Sequence, residues 1–209
     1  MSSRRWLIGL LVAVPLLFGA RVALAGKPGG GGTTTRNPII FVHGYQGSGS
    51  QWNTMISRFK ADGWTAEQLF AFNYNSGQCV ETSAAQLRTY INDVLARTGA
   101  AKVDIIAHSL GGLVADAAGG SVAQSVALGS PFKGTDTANV CFDCACQTMR
   151  PPGPGGCLSA TWWSPCDEII NPDTSASCGQ SHQTACLGHM DLMTDLTVYQ
   201  GVRDYVKPL

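Results

Sequence analysis

The chain has 209 residues, with 14 Lys+Arg against 14 Asp+Glu, 44% hydrophobic residues, 25 Gly and 8 Cys. Charged residues make up only 13% of it, against a usual quarter or so. No basic stripe is therefore available to neutralise phosphates, which excludes a nucleic-acid partner, and the apolar content excludes a disordered tail.

At the start of the chain, Arg4 and Arg5 precede an apolar run from Trp6 to Gly19, and Ala23-Leu24-Ala25 offers a small-x-small cleavage site. That order is the order of a secretory signal over residues 1–25. A membrane anchor fits less well, because the run is short, contains Pro15 and is followed by Arg21. The arginine pair leaves the export route open between the general and the twin-arginine pathways. Residues 26–36 are rich in Gly and Thr and read as a flexible leader. Residues 37–209 read as one folded domain, expected to be an extracellular monomer without stable membrane insertion.

Within that domain Ile39-Ile40-Phe41-Val42 is a short β-branched run, which predicts a buried strand. Gln51 to Asp62 carries Trp52, Met55, Ile56 and Phe59 at helical spacing, and Leu69 to Phe72 is a second strand. Thr82 to Thr98 is the clearest helix, with Ala84, Leu87, Tyr90, Ile91, Val94 and Leu95 on one face and Gly99 as its stop. Val103 to Ala107 is a third strand, Leu110 to Ala118 a short helix, and Ser125 to Leu128 a fourth strand. The Gly-, Pro- and Cys-rich stretch Pro131 to Cys157 reads as loop. Leu158 to Trp163 is a candidate fifth strand, and Thr197 to Val206 a closing helix. Apolar strands alternating with amphipathic helices predict the α/β class, a mainly parallel sheet with helices on both faces. Sites in such sheets form at the carboxyl ends of strands.

All eight cysteines lie between Cys79 and Cys186. In an exported chain an even count reads as disulfides. The rival is a zinc site from Cys141, Cys144, Cys146 and Cys157, which lacks the paired spacing or histidine partners that zinc sites usually show.

The loop after the third strand reads Ala107-His108-Ser109-Leu110-Gly111-Gly112. A strand running into small-x-Ser-x-Gly and then a helix is the nucleophile elbow, a strained turn that lifts the serine hydroxyl clear of the backbone. A serine hydroxyl needs an adjacent base. In this arrangement the partners follow in the order Ser, acid, His, which leaves His182 and His189. His189 is favoured, since Gly188 allows a tight loop before the last helix, whereas His182 sits in a polar stretch and reads as a solvated loop residue. Among the carboxylates between serine and base, Asp116 would face outward on the helix after Ser109, and Asp136 and Asp143 come too soon. Asp167 falls in the loop after the fifth strand, where it would orient the imidazole; Asp173 is the reserve. If Asp167 and His189 meet, Cys166 and Cys186 lie beside them and could staple the two loops. The oxyanion hole requires two backbone N–H groups: Leu110, directly after the serine, and one from Val42-His43-Gly44-Tyr45, where Tyr45 is the choice. The ring of His43 is expected to brace that loop. The ring of His108 is expected to point away and play a structural part.

Four stretches together carry a resemblance: Phe41-Val42-His43-Gly44, Val103 to Gly112, Leu128-Gly129-Ser130-Pro131-Phe132-Lys133-Gly134-Thr135, and Cys166-Asp167-Glu168-Ile169-Ile170-Asn171-Pro172. They resemble small secreted bacterial triacylglycerol lipases of the α/β-hydrolase superfamily, closest to the bacilli and actinomycete types. The resemblance implies Ser109 as nucleophile, Asp167 as acid, His189 as base, and the Tyr45 and Leu110 amides as oxyanion hole. It implies hydrolysis of lipid or other esters with no cofactor and no metal. It departs at Leu113–Ser125, where the helix after the elbow is short, and at Cys141–Cys157, which is shortened and carries extra cysteines.

Trp52, Trp162, Trp163 and Met190, with Phe72, Tyr74, Met149 and Leu187, are candidates to line an acyl groove; part of that set is expected to be ordinary core. No insertion suggests a lid, so little activation by an oil surface is expected. The same machinery would serve a polyester hydrolase, a short-chain esterase or a thioesterase, because fold and triad do not set the acyl pocket. The non-enzyme alternatives are an exported binding domain that kept the fold without turnover, and a structural cell-surface protein.

Overall fold

A computed structural model describes residues 36–207. The expectations for the signal over residues 1–25 and for the leader fall outside these residues, except at Arg36. That residue is already fastened to the fold, its guanidinium lying 4.0 Å over the ring of Trp64.

Six strands form one parallel sheet: β1 (Ile39–Val42), β2 (Leu69–Phe72), β3 (Val103–His108), β4 (Val122–Leu128), β5 (Ala160–Trp163) and β6 (Gln180–Gln183), in the spatial order β2-β1-β3-β4-β5-β6. The helices are α1 (Asn53–Ala61), α2 (Val80–Thr98), α3 (Leu110–Ala118), α4 (Cys144–Met149) and α5 (Leu196–Val206). Strand side chains alternate between faces, so one short apolar run feeds two cores. Ile40, Val42, Ile105 and Ala107 pack with Leu87, Ile91 and Val94 of α2 and with Leu113 and Val114 of α3. Ile39, Phe41 and Ile106 pack with Met55 and Phe59 of α1 and with Val198 and Val202 of α5. Both faces of β1 and β3 are covered, and every residue of both strands is buried. The expected α/β class is thus the observed one. After β2 the chain crosses over β1 to build β3 on its other side. This reversal opens a crevice at the carboxyl ends of β1 and β3.

Two elements depart from the sequence expectation. β6 is polar and exposed along its whole length. As an edge strand it needs hydrogen bonds on one side only, so no apolar alternation marks it. His182 accordingly stands on this strand, stacked 4.3 Å from the Trp162 ring, and not in a solvated loop. The cysteine-rich stretch also contains α4, a turn and a half of helix held by disulfides. Cys79–Cys144 ties it to the start of α2, and Cys141–Cys146 closes the loop before it. Cys157–Cys178 joins the approaches to β5 and β6, and Cys166–Cys186 joins the two loops beyond them. Among the described residues no helix is long and apolar enough to cross a membrane.

One carboxylate is buried in the sheet. Asp104 of β3 is 1% exposed and takes hydrogen bonds on a single oxygen, Oδ1, from Asn37 Nδ2 at 3.1 Å and from the Gln124 amide at 3.0 Å. Burial pushes its carboxyl up to about 6, the two hydrogen bonds opposing only part of the rise. An unfolded aspartate titrates near ~3.9. The folded form therefore holds its proton more tightly, which adds stability below about pH 4 that is lost as the pH rises through about 6. Asp104→Asn keeps the Oδ1 acceptor and removes the charge. It should raise unfolding stability at pH 8 by about 1–3 kcal/mol and change it little at pH 4. Urea midpoints at the two pH values test this; equal shifts at both would show that the charge is not the cause.

Candidate active site

The crevice holds a strained serine. Ser109 links β3 to α3 at φ 54°, ψ −129°, a conformation that non-glycine residues adopt only where the surroundings enforce it. Its amide is fixed to the Leu128 carbonyl at 2.9 Å. The small residues after it are required by contact. A Cβ on Gly111 would stand 2.5 Å from the Val42 carbonyl oxygen, and one on Gly112 would run into the Ser130 side chain. Across the crevice, a Cβ on Gly44 would stand 2.8 Å from Ser109 Cβ, so the backbone of the β1 loop passes directly over the serine.

Asp167 and His189 meet. Nδ1 of His189 lies 2.8 Å from Asp167 Oδ2, and both side chains are buried. The second carboxylate oxygen, Oδ1, accepts the amides of Ile169 and Ile170, each at 2.9 Å. Burial alone would raise the Asp167 carboxyl. The hydrogen bond and charge of His189 and the two amides outweigh it and hold the group below the usual carboxylate range. Against the ionised acid Nδ1 is the donor, because a carboxylate oxygen can only accept.

The surrounding loops are cross-linked. Cys166–Cys186 joins the Asp167 loop to the His189 loop, the bridge expected from the positions of these cysteines. Between the same loops, the fully buried hydroxyl of Ser164 donates to the Leu187 carbonyl at 2.6 Å and accepts from the amides of Leu187 and Cys166. Gly129, one residue beyond β4, backs the Asp167–His189 pair at φ 54°. A Cβ there would lie 2.9 Å from Asp167 Oδ2 and 3.3 Å from His189 Nδ1. Gly129→Ala should therefore lower stability by about 1–3 kcal/mol through strain and turnover by about tenfold or more through displacement of the pair. Denaturation and kcat measured together test this; an alanine variant with unchanged kcat would show that the pair tolerates the intrusion.

His43 braces the β1 loop. Its Nδ1 donates to the Gly44 carbonyl at 2.8 Å, its ring stacks 4.4 Å from Tyr74, and Tyr74 Oη donates to the His43 carbonyl at 2.8 Å. Burial lowers its pKa, so the ring stays neutral. Tyr45 follows; its hydroxyl donates to Asp143 Oδ2 at 2.5 Å. Leu110 is the first residue of α3, where an N–H has no carbonyl partner within the helix. His108 does not point away from the site. Its ring packs 4.4 Å from that of His189, and its Nε2 donates to the His189 carbonyl at 3.0 Å.

The aromatic candidates for a groove fare differently. Trp52 is fully buried, 5.4 Å from Phe41, in the core beneath α1. Trp162 lies under His182 and against Gly201 of α5, in the same core. Both follow the inward register of their elements and so do not line the crevice. Trp163 is half-buried and gives its indole N–H to Ser181 of the edge strand. Met190, next to His189 in the chain, stands exposed. The reserve acid Asp173 accepts the Thr174 amide at 2.8 Å within its own short turn. Exposed apolar residues that the sequence did not flag lie on the stretch from Thr135 to Asp143. Thr135 and Thr137 each donate to the Ile169 carbonyl, and the far end meets Tyr45 through Asp143. Val140 and Phe142, both more than four-fifths exposed, stand along this strap. A hollow of about 870 Å³ lies at the opposite end of the sheet between Arg36, Gln68 and Arg97, and is lined by none of these groups.

The chain is similar in sequence and in fold to known lipases. Residues 36–151 match the family described as lipase (class 2). The chain is 31% identical over 147 residues to a triacylglycerol lipase of Burkholderia plantarii, covering 64% of this chain and 41% of that protein. It is 33% identical over 119 residues to a triacylglycerol lipase of Pseudarthrobacter phenanthrenivorans, covering 52% and 37%. The chain thus spans about two fifths of the length of the curated relatives it matches. Among solved structures, the mature form of Bacillus licheniformis lipase BlEst2 superposes with a TM-score of 0.72 at 14% identity, over 88% of this chain and 97% of that one.

Proposed function

The chain belongs to the class 2 lipase family, and from that premise we propose that it is a secreted carboxylic ester hydrolase that cleaves acyl glycerides or related esters through a Ser109–Asp167–His189 triad. The observation that carries this reading is the buried 2.8 Å Asp167–His189 pair, packed against His108, whose chain neighbour Ser109 is held at positive φ on a strand-to-helix elbow. His189 Nε2 takes the Ser109 proton as Oγ attacks the ester carbonyl. The Tyr45 and Leu110 amides stabilise the oxyanion, a contribution of about 3–4 kcal/mol per donor. His189 then protonates the leaving alcohol, and water, activated by the same base, releases the acid. Asp167 stays ionised throughout and holds the tautomer. Val140, Phe142 and Met190 supply apolar surface for the acyl chain, in place of the buried tryptophans. Four disulfides support an oxidising, extracellular destination.

Hydrolysis of p-nitrophenyl esters from butyrate to palmitate, with phosphonate labelling of Ser109, tests the reading. A lipase is expected to prefer the medium and long chains, and a short-chain esterase butyrate. Absence of both turnover and labelling in the folded, oxidised protein would overturn the enzyme reading.

A further inference from the structure

His189 sits on a loop between β6 and the short turn Asp191–Met193, where no sheet or helix ladder fixes its backbone. Three of its polar groups are nevertheless held. Nδ1 bonds Asp167. Its amide donates to Glu168 Oε2 at 3.0 Å. Its carbonyl accepts from His108 Nε2 at 3.0 Å. The two backbone partners are the immediate sequence neighbours of the proposed acid and nucleophile.

We propose that His108 and Glu168 are positioning residues that clamp the backbone of His189 from two sides and so fix where its free Nε2 points. The inference rests on the triad reading above and adds two residues to it. A carbonyl can only accept, so His108 must donate from Nε2. Its ring is 2% exposed, and burial drives its pKa down to about 3, so it stays neutral and keeps this one tautomer. The ring spans two loops: Gly44 passes close enough that a Cβ there would stand 3.3 Å from His108 Nδ1. The nucleophile's neighbour thereby sets the oxyanion loop and the base loop against each other. Glu168 reaches the His189 amide past Gly188, where a Cβ would stand 3.4 Å from Glu168 Oε2. Neither residue needs to touch substrate. A displacement of the base by about 1 Å is enough to cost on the order of 10²-fold in rate.

Paired substitutions separate a hydrogen-bonding clamp from mere filling of space. His108→Phe keeps the ring volume and removes the donor; His108→Gln returns an amide N–H near the Nε2 position. Glu168→Leu removes the acceptor at an exposed site, and Glu168→Gln restores one. The expected result is a kcat lowered about 10–100-fold in His108→Phe and about 5–20-fold in Glu168→Leu, with KM within about twofold. Both glutamine variants should stay within about fivefold of wild type, and phosphonate labelling of Ser109 should slow in proportion to kcat. Wild-type kcat in the Phe and Leu variants would overturn the clamp, as would glutamine variants as slow as the apolar ones. If His108→Phe does not fold, the exposed Glu168 pair decides alone. Ser109→Ala runs beside them: an active Ser109→Ala refutes the triad itself and the clamp with it, whereas a dead Ser109→Ala beside fully active clamp variants refutes only the clamp.

Discussion

Ser109→Ala is expected to lower kcat on p-nitrophenyl butyrate by about 10⁶-fold while leaving the protein folded. The size follows from the loss of the nucleophile, since removing the serine from such a unit costs about as much as removing the whole unit. Residual hydrolysis about 10³–10⁴ above the uncatalysed rate would remain, from the oxyanion donors and binding. The fold should tolerate the change, because alanine and serine share the same steric cost at φ 54° and the elbow is held by the Ser109 amide, not by the hydroxyl. Thermal melting within about 0.5 kcal/mol of wild type is the companion expectation. A variant that retains even a few per cent of activity would place the chemistry elsewhere.

The second large effect is expected from Asp167→Asn. The asparagine carbonyl can still accept the Ile169 and Ile170 amides now taken by Oδ1. That orientation turns its NH₂ toward His189 Nδ1, which must then become the acceptor. The proton moves to Nε2, and the ring can no longer take the hydroxyl proton of Ser109. The same tautomer fault elsewhere costs about 10⁴-fold in kcat, and KM should stay nearly unchanged because the acid does not touch substrate. An additional loss of about 1–3 kcal/mol of stability is expected from weakening a buried charge-assisted bond. Steady-state kinetics with a denaturation curve tests both parts. A drop below tenfold in kcat would show that His189 keeps its working tautomer without Asp167.

Much of the fold was legible because its signals are local. Ile39–Val42 and Val103–His108 are apolar at every turn-facing and helix-facing position except Asp104 and His108, which is what two-sided burial requires. α3 was legible to the residue, bounded by the elbow and by Gly119. β4 starts at Val122, earlier than its apolar half suggests, because its first four residues are only half-buried. β6 carried no signal because an edge strand bonded on one side can be polar throughout. α4 was hidden because disulfides, and not an apolar stripe, hold its short helix in place.

At the site, local grammar led to Ser109 through the strand, the small residues and the helix that follow one another along the chain. Chain order led to Asp167 and His189, and the cysteines flanking them to their bridge. Those inferences need only adjacency along the sequence. Whether a tryptophan faces the crevice or the core is a different kind of question. Trp52 and Trp162 carry the same composition signal as a groove-lining residue, and only the packing of α1 and α5 against the sheet turns them inward. The clamp on His189 is likewise invisible along the chain, since His108 reaches across 81 positions and Glu168 across 21 to grip one peptide unit. The sequence by itself therefore determined the strand-and-helix alternation and the strand-to-helix elbow at Ser109, because each depends on backbone preferences and burial periods within a few residues. The tertiary structure alone decided which aromatics are core, which apolar residues stand exposed near the site and what holds His189, because those depend on which distant surfaces meet once the sheet is covered.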